Sequence, residues 1–256
     1  LDQTAKYNLL YDAFGWEKPK YAHVAMVLGE DGTKLSKRNG DASFIDLYDE
    51  GFLPNAIVNY LVLLGWSPEV NQEVFSMEEL IHNFNEERIS KSSSQYDVKK
   101  LEWFNHQYIS KMEDDEYLKW VFKYLTFDVS DKSEDWINTL LLIYKKSLNY
   151  GKEINELVKS FFEEFKVDEE ALEFMASDEK IKDVVNCFLH EIENVENWDI
   201  ESISRVIENV KEKENVKGKM LFMPIRIAST GVMHGPELAP TLYLVGKDEI
   251  IKRIKQ

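Results

Sequence analysis

The sequence is poor in residues that would staple, anchor or metallate it. Cys187 is the single cysteine, which excludes an internal disulfide and any zinc site built on several thiolates, and it fits a reducing compartment. No run approaches the roughly eighteen apolar residues of a membrane-crossing helix, so a soluble chain with no membrane partner is expected. The start at Leu1 has neither an initiator methionine nor a basic-then-apolar leader, which predicts a piece of a longer cytoplasmic protein. His23, His82, His106, His190 and His234 lie far apart, and none has a His, Cys or carboxylate at a recognised ligand spacing, so no metal site is expected. There is also no glycine-rich phosphate cradle, no G-x-S-x-G elbow and no cysteine placed as a nucleophile, which argues against a self-contained enzyme. Internal repeats and low-complexity segments are absent.

Positive charge is in short supply as well. Against 47 Asp and Glu there are 31 Lys and Arg, a formal charge of −16, which excludes a general polyanion binder. The imbalance is local: residues 128–208 hold 9 basic and 21 acidic residues, whereas 209–256 hold 9 basic and 5 acidic. Any anionic partner must therefore dock on local patches. Paired carboxylates such as Glu163 with Glu164, and Asp168 with Glu169 and Glu170, sit at predicted helix starts, where the helix dipole favours them as caps rather than as acid catalysts.

What is present is mostly helical signal over 256 residues, 44% of them hydrophobic, enough for one large domain or two ordinary ones. Leu9, Leu10, Tyr11, Ala13 and Phe14 have helical spacing, with Gly15 at the C-cap position. His23 to Leu28 is a short apolar run between turn formers and predicts a buried strand. Asp31-Gly32 predicts a tight turn that returns Lys34-Leu35-Ser36-Lys37-Arg38 beside that strand. Pro54 suits a first helical turn, and Ala56 to Leu64 predicts a buried helix closed by Gly65. Ser76 with Glu79 forms a capping-box pair flanked by Phe75 and Leu80, and the cap-and-staple pattern recurs at Asp168 and Asp199. Pro224 predicts a helix start or a kink, and the turn residues of His234-Gly235-Pro236 precede a last helical region.

Two basic segments could carry chemistry. In 34–38 two lysines supply mobile point charges and an arginine a planar fork, a combination suited to a polyphosphate. Ser90-Lys91-Ser92-Ser93-Ser94, flanked by Arg88, Lys99 and Lys100, is a polar linker able to meet backbone phosphates. From their own residues alone such short basic runs are more commonly solvated turns or linkers, and the aromatic residues at helical spacing are more simply core than stacking platforms.

The order of several segments resembles one family. Leu10-Tyr11-Asp12-Ala13-Phe14-Gly15-Trp16, His23 to Leu28 and Lys34 to Arg38 are similar to the end of the catalytic domain of bacterial glutamyl-tRNA synthetases. Collinear likeness continues through Gly51 to Ala56, Asn59-Tyr60-Leu61, Leu64-Gly65-Trp66 and Asp97 to Asn105, and ends in Pro224 to Gly231 and Gly235-Pro236-Glu237-Leu238; residues 126–208 match through position alone. The resemblance implies a mostly α fold: a small α/β remnant of a class I Rossmann-like catalytic domain at 1–40, a helical stem-contact domain at 41–110 and an all-helical anticodon-binding domain at 111–256. It implies that Lys34, Ser36, Lys37 and Arg38 form the catalytic loop at the phosphates of ATP, used with Mg2+, with Lys37 foremost and Ser36 shaping the loop. Leu35 and Arg38 depart from the general class I form of this loop but suit the glutamyl branch. Arg226, Gly235, Pro236 and Leu238 are implied at the anticodon, where an arginine can pair with a splayed base edge while the turn shapes the pocket. Arg88, Lys91, Lys99 and Lys100 are candidates for tRNA backbone contacts.

The implied partner is a glutamate-accepting tRNA, with glutamine-accepting tRNA left open, bound by a monomer. The His-x-Gly-His signature and the nucleotide-binding strands are absent from this stretch, so the missing amino-terminal catalytic region is the other implied partner, and the chain alone is expected to be inactive in glutamyl-adenylate formation. A helical adaptor for proteins, favoured by the acidic middle, is the alternative.

Overall fold

The computed structural model describes residues 2–29, 31–35 and 43–256. They form two compact units, Leu1–Tyr108 and Ile109–Gln256. Among the described residues no helix is long and apolar enough to cross a membrane.

The first unit opens with α1 (Asp2–Phe14), which stops where Gly15 takes φ +66 and the Trp16 amide donates back to the Tyr11 carbonyl at 2.9 Å. This left-handed close is the ending that glycine makes cheap. The expected strand at His23 to Leu28 shortens to β1 (Val27–Leu28), which pairs in parallel with β2 (Ser94–Gln95). Val24 and Met26 are 68% and 54% exposed, so the expectation of a buried run fails there. A strand is buried only where neighbours cover it, and among the described residues the ladder reaches positions 27 and 28 alone.

Four helices follow among the described residues, and the last three of them carry the core of this unit. α2 (Phe44–Glu50) is capped reciprocally by Ser43 and Asp46. α3 (Pro54–Gly65) starts with proline at its first turn, where no amide partner is lost, and buries Ala56, Ile57, Asn59 and Tyr60. The capping box of α4 (Met77–Asn83) forms as its sequence predicts: Ser76 Oγ accepts from the Glu79 amide at 3.1 Å, the Ser76 amide donates to Glu79 Oε2 at 2.7 Å, and Phe75 and Leu80 are buried beside it. α5 (Val98–Ile109) is tied to α3 by polar bonds that leave no buried amide wasted. Tyr60 Oη accepts from the Asp97 amide at 2.7 Å, Asn59 Oδ1 accepts from Tyr108 Oη at 2.7 Å, and Asn105 Oδ1 receives the Leu53 amide at 2.8 Å.

The second unit is helical throughout its described elements: α6 (Asp114–Val121), α7 (Glu134–Leu142), α8 (Ile154–Val158), α9 (Glu169–Ala176), α10 (Glu179–Glu193), α11 (Ile200–Glu214), α12 (Lys219–Thr230), α13 (Leu238–Val245) and α14 (Lys247–Lys255). Its main core joins Val184, Phe188 and Ile192 of α10 to Ile203, Val206 and Val210 of α11, with Leu221, Ile225 and Leu242 closing the other side. Those three-and-four spacings put the apolar side chains of each helix on one stripe. Asp199 caps α11 through the Ser202 amide at 2.7 Å. Asp168 sits at the N-cap of α9 without a side-chain bond, and Leu172 is 55% exposed, so the expected cap and staple are not made there. Pro224 neither starts α12 nor ends it; the helix begins at Lys219 and carries the proline inside, at the loss of one backbone donor.

Candidate functional site

The basic segment 34–38 enters the described structure only through Lys34 and Leu35; Ser36, Lys37 and Arg38 lie outside the described residues. Its root is a small hairpin. Asp31 Oδ1 accepts from the Thr33 amide at 2.9 Å and from Thr33 Oγ1 at 2.8 Å, which holds the Asp31 carboxyl below its ordinary range. Gly32 takes φ +75, and the Gly29 amide donates to the Thr33 carbonyl at 2.8 Å. Lys34 then bridges antiparallel to Leu28, with the lysine side chain exposed. Leu28 in turn pairs with Gln95, and its carbonyl accepts from the Tyr96 amide at 2.8 Å. The basic hairpin and the end of the polar linker thus share one backbone ladder.

Of the linker residues, Lys91 and Lys99 are exposed. Arg88 is spent within its own unit: Nε donates to the Ser67 carbonyl at 2.7 Å and Nη2 to that of Pro68 at 2.9 Å. Lys100 pairs with Glu73 at 2.8 Å, with its ammonium 4.6 Å from the Trp103 ring centroid. The four cations are not equivalent, and two already have work to do in holding the linker.

Arg226, Gly235 and Pro236 come together in the second unit. Gly231 ends α12 at φ +82, and a Cβ there would lie 1.9 Å from the Lys166 carbonyl oxygen, so only glycine lets the chain turn so close to residues 165–168. The chain then runs back over α12. Arg226 is 9% exposed, and its Nη2 donates to the Pro236 carbonyl at 2.6 Å. Its Nη1 packs so close to Gly235 that a Cβ there would stand 2.8 Å away. Burial lowers the guanidinium pKa from its usual value, and the Tyr144 hydroxyl group opposes that shift. Tyr144 is itself buried, and desolvation pushes its phenol up to about 12. Leu238, at 6% exposure, belongs to the core beneath the turn rather than to its open surface.

Two cavities adjoin this turn, and Gly235 lines both. One of about 260 Å³ is bounded by Lys219, Phe222, Met223, Arg226, Met233 and His234. The other, about 830 Å³, includes Tyr144, Lys146, Ile200, Pro236 and Pro240. Phe222 is 46% exposed, and Lys219 Nζ rests 4.9 Å from the Phe174 ring centroid. Sequence spacing alone assigns Tyr144 to an apolar face and Lys219 to a charged stretch. Nothing local in the sequence marks Tyr144, because the fold brings it to the turn from a distant segment, whereas Lys219 opens the helix that carries Arg226. A further cavity, about 1180 Å³ and bounded by Leu118, Phe122, Phe127 and Ile137 among others, contains none of the expected site residues.

Residues 1–103 match the family model for tRNA synthetases class I (E and Q), catalytic domain, and residues 105–256 match that for the anticodon binding domain. The glutamate–tRNA ligase of Mycoplasma mycoides subsp. mycoides SC is 42% identical over 259 residues, covering 99% of this chain and 54% of that protein. By the model that matches more than half of it, the chain belongs to the anticodon binding domain family. A second glutamate–tRNA ligase, from Geobacillus stearothermophilus, is 39% identical over 265 residues, and the chain spans about half the length of the curated relatives it matches, 54% in this case. Among solved structures, the glutamate tRNA ligase of Elizabethkingia meningosepticum in complex with its amino acid superposes with a TM-score of 0.80 at 27% identity, over 99% of this chain and 54% of that one. The ligase of Elizabethkingia anophelis gives the same score at 26% identity. The mostly helical fold with a small α/β portion is therefore the fold of the corresponding half of these ligases.

Proposed function

We propose that the chain is the carboxy-terminal half of a cytoplasmic glutamate–tRNA ligase, which as a whole joins glutamate to tRNA by way of glutamyl-adenylate, and that this half recognises the tRNA and supplies the ATP-phosphate loop. The observation that carries the reading is 42% identity to such a ligase along 99% of the chain. Three functional parts follow. Residues 1–40 complete the catalytic domain, with Lys34, Lys37 and Arg38 neutralising ATP phosphates and Ser36 shaping their loop. Residues 41–110 contact the tRNA stem. Lys91 and Lys99, being exposed, meet its backbone, while Arg88 and Lys100 hold the linker in place.

Residues 111–256 bind the anticodon around Arg226, Gly235, Pro236 and Leu238. The basic surplus of residues 209–256 supports this, since an anionic partner needs a local patch on a chain of charge −16. The partner is a single glutamate-accepting tRNA per monomer, and an enzyme that also charges glutamine-accepting tRNA would use the same surface. Mg2+ would arrive with ATP. Among the described residues no cluster of His, Cys, Asp or Glu offers it a ligand set, and no step is assigned to it.

ATP–pyrophosphate exchange dependent on glutamate tests the division of labour. The 256-residue chain alone should stay at the blank, and the chain joined to the amino-terminal half of a related ligase should exchange, at a rate that Lys37→Ala lowers by at least about tenfold. Exchange by the chain alone, or indifference to Lys37→Ala, contradicts the proposal.

A further inference from the structure

One concavity of the second unit takes no part in the tRNA contacts proposed above. A cavity of about 1180 Å³ lies between α6 and α7, and it shares no lining residue with either cavity at the Arg226 turn. On α7 its wall is Ile137, Asn138 and Leu141, whereas Thr139, Leu142 and Ile143 of the same helix line the cavity of about 830 Å³, so the two open on different faces of α7. The segment that joins the two helices adds Phe127 and Val129, which walls the cleft at that end as well as along both sides. Leu118, Phe122, Ile137 and Leu141 complete an apolar lining, in which Phe122 stands 49% exposed. An apolar concavity with a few charged groups at its edge is the ordinary form of a small-molecule site, and this one is larger than a single ring can fill.

The charges around the cleft differ in what already holds them. Lys132 is paired with Asp131 at 2.9 Å and rests over the Trp136 ring, and Asp128 accepts from the Ser130 amide at 3.0 Å. Asp115 and Glu134 occupy the first turns of α6 and α7, where the helix dipole favours a carboxylate. Lys119 and Lys123 are exposed and meet no carboxylate among the described residues. They lie four residues apart along the helical run that α6 continues as a 3-10 turn at Phe122–Tyr124, so their side chains leave from the same side. Two ammonium groups side by side above an apolar hollow repel each other, and an anion between them turns that repulsion into attraction.

We propose that the cleft between α6 and α7 binds a small amphiphilic anion, whose aliphatic or fused-ring body packs against Phe122 and Phe127 and whose carboxylate is held by Lys119 and Lys123. The body supplies affinity through the area it removes from water, and the two lysines supply the choice of an anion over a neutral molecule of the same shape. A partner protein's helix would need a groove open at both ends, and the connector that carries Phe127 and Val129 occupies one of them.

Decanoate, used below its micelle concentration, tests this against 1,2-decanediol and decyltrimethylammonium, which keep the chain and remove or reverse the charge. Calorimetry on the 256-residue chain should give one site for decanoate with Kd below about 100 µM, at least about tenfold weaker binding of the diol, and none of the cation. Lys119→Gln combined with Lys123→Gln should weaken decanoate at least about tenfold and leave the diol within about twofold, while Phe122→Ala should weaken both. Lys182→Gln, at an exposed position of α10, should change neither. All these side chains are exposed, so the urea midpoints of the variants should match that of the unaltered chain. Amide shift changes on adding decanoate should concentrate in residues 115–141 and spare 231–238. The inference is wrong if decanoate does not bind at about 1 mM, if the diol or the cation binds as tightly, if the double variant keeps its affinity, or if the shift changes lie elsewhere. Binding of an acidic helical peptide at 115–141 without binding of decanoate would make the cleft a protein groove and overturn it as well.

Discussion

Arg226 Nη2 and the Pro236 carbonyl oxygen lie 2.6 Å apart, and a Cβ on Gly235 would stand 2.8 Å from Nη1 of the same guanidinium. Gly235 does not take a positive φ, so its backbone would accept a side chain, and the atom it would strike is the far end of a flexible arginine. Gly235→Ala should therefore cost less than about 1 kcal/mol of stability while displacing the guanidinium. In a urea titration its midpoint should match the unaltered chain, yet its affinity for glutamate-accepting tRNA should fall as in Arg226→Ala. Unchanged tRNA affinity would show that the close packing is not needed.

Gly231→Ala should behave in the opposite way. Here φ is +82 and the obstacle is the Lys166 backbone carbonyl, 1.9 Å from the would-be Cβ, so neither the residue nor its neighbour can yield cheaply. Left-handed strain alone costs about 1–3 kcal/mol, and the clash adds to it. The urea midpoint of the transition reported by the second unit should drop clearly, with a rise in exchange at α9 and at the end of α12. A stability loss below about 0.5 kcal/mol would mean that the 165–168 segment gives way.

These contrasts bear on what could be read in advance. The capping box at Ser76 and Glu79 was legible because every atom it uses lies within four residues: the two satisfy each other's end of the helix whatever the rest of the chain does. The run from His23 to Leu28 was not, because a strand exists only with a partner, and its partner, Ser94–Gln95, is remote in sequence. Of the two readings of Pro224, a helix start fails, because the proline lies inside α12, where its local cost is outweighed by the core that Leu221 and Ile225 build on either side of it. At the candidate site Arg226, Gly235 and Pro236 could be named from their order along the chain. That the arginine donates to the proline carbonyl, that Tyr144 lies near enough to perturb it, and that Phe222 and Lys219 wall a cavity are products of tertiary packing.

Acid should weaken the second unit partly through Glu191. Lys213 Nζ holds its carboxylate at 2.7 Å, with Asn209 and His190 in support, and these hydrogen bonds lower its pKa below the ordinary value of 4.5. A depressed carboxylate contributes stability that is fully present above its unfolded value and is lost as the pH falls through the folded one. Glu191→Gln should thus be less stable than the unaltered chain at pH 7, and the gap should close below about pH 4.5. Urea midpoints measured for both proteins from pH 7 to pH 3 check this, and a gap that is constant across the range would contradict it.

Cys187 should be a slow thiol despite partial exposure. Burial pushes its pKa up from 9.0, and the carboxylates of Glu214 and Glu191 add to the shift while Lys213 opposes it. Since the thiolate is the reacting species, modification by a disulfide reagent at pH 8 should run at least about tenfold slower in the folded protein than in urea. Equal rates would place the thiol in an unperturbed setting.

The most direct measurement on the central claim is equilibrium binding of glutamate-accepting tRNA to the 256-residue chain as salt rises from about 50 to 200 mM, repeated with an unrelated tRNA as competitor. A carboxy-terminal half that recognises stem and anticodon predicts saturable binding that weakens steeply with salt and favours the glutamate-accepting tRNA by at least about tenfold, ~1.4 kcal/mol. No binding at the lowest salt, or equal displacement by the unrelated tRNA, would contradict the account and leave a helical adaptor for proteins as the better description.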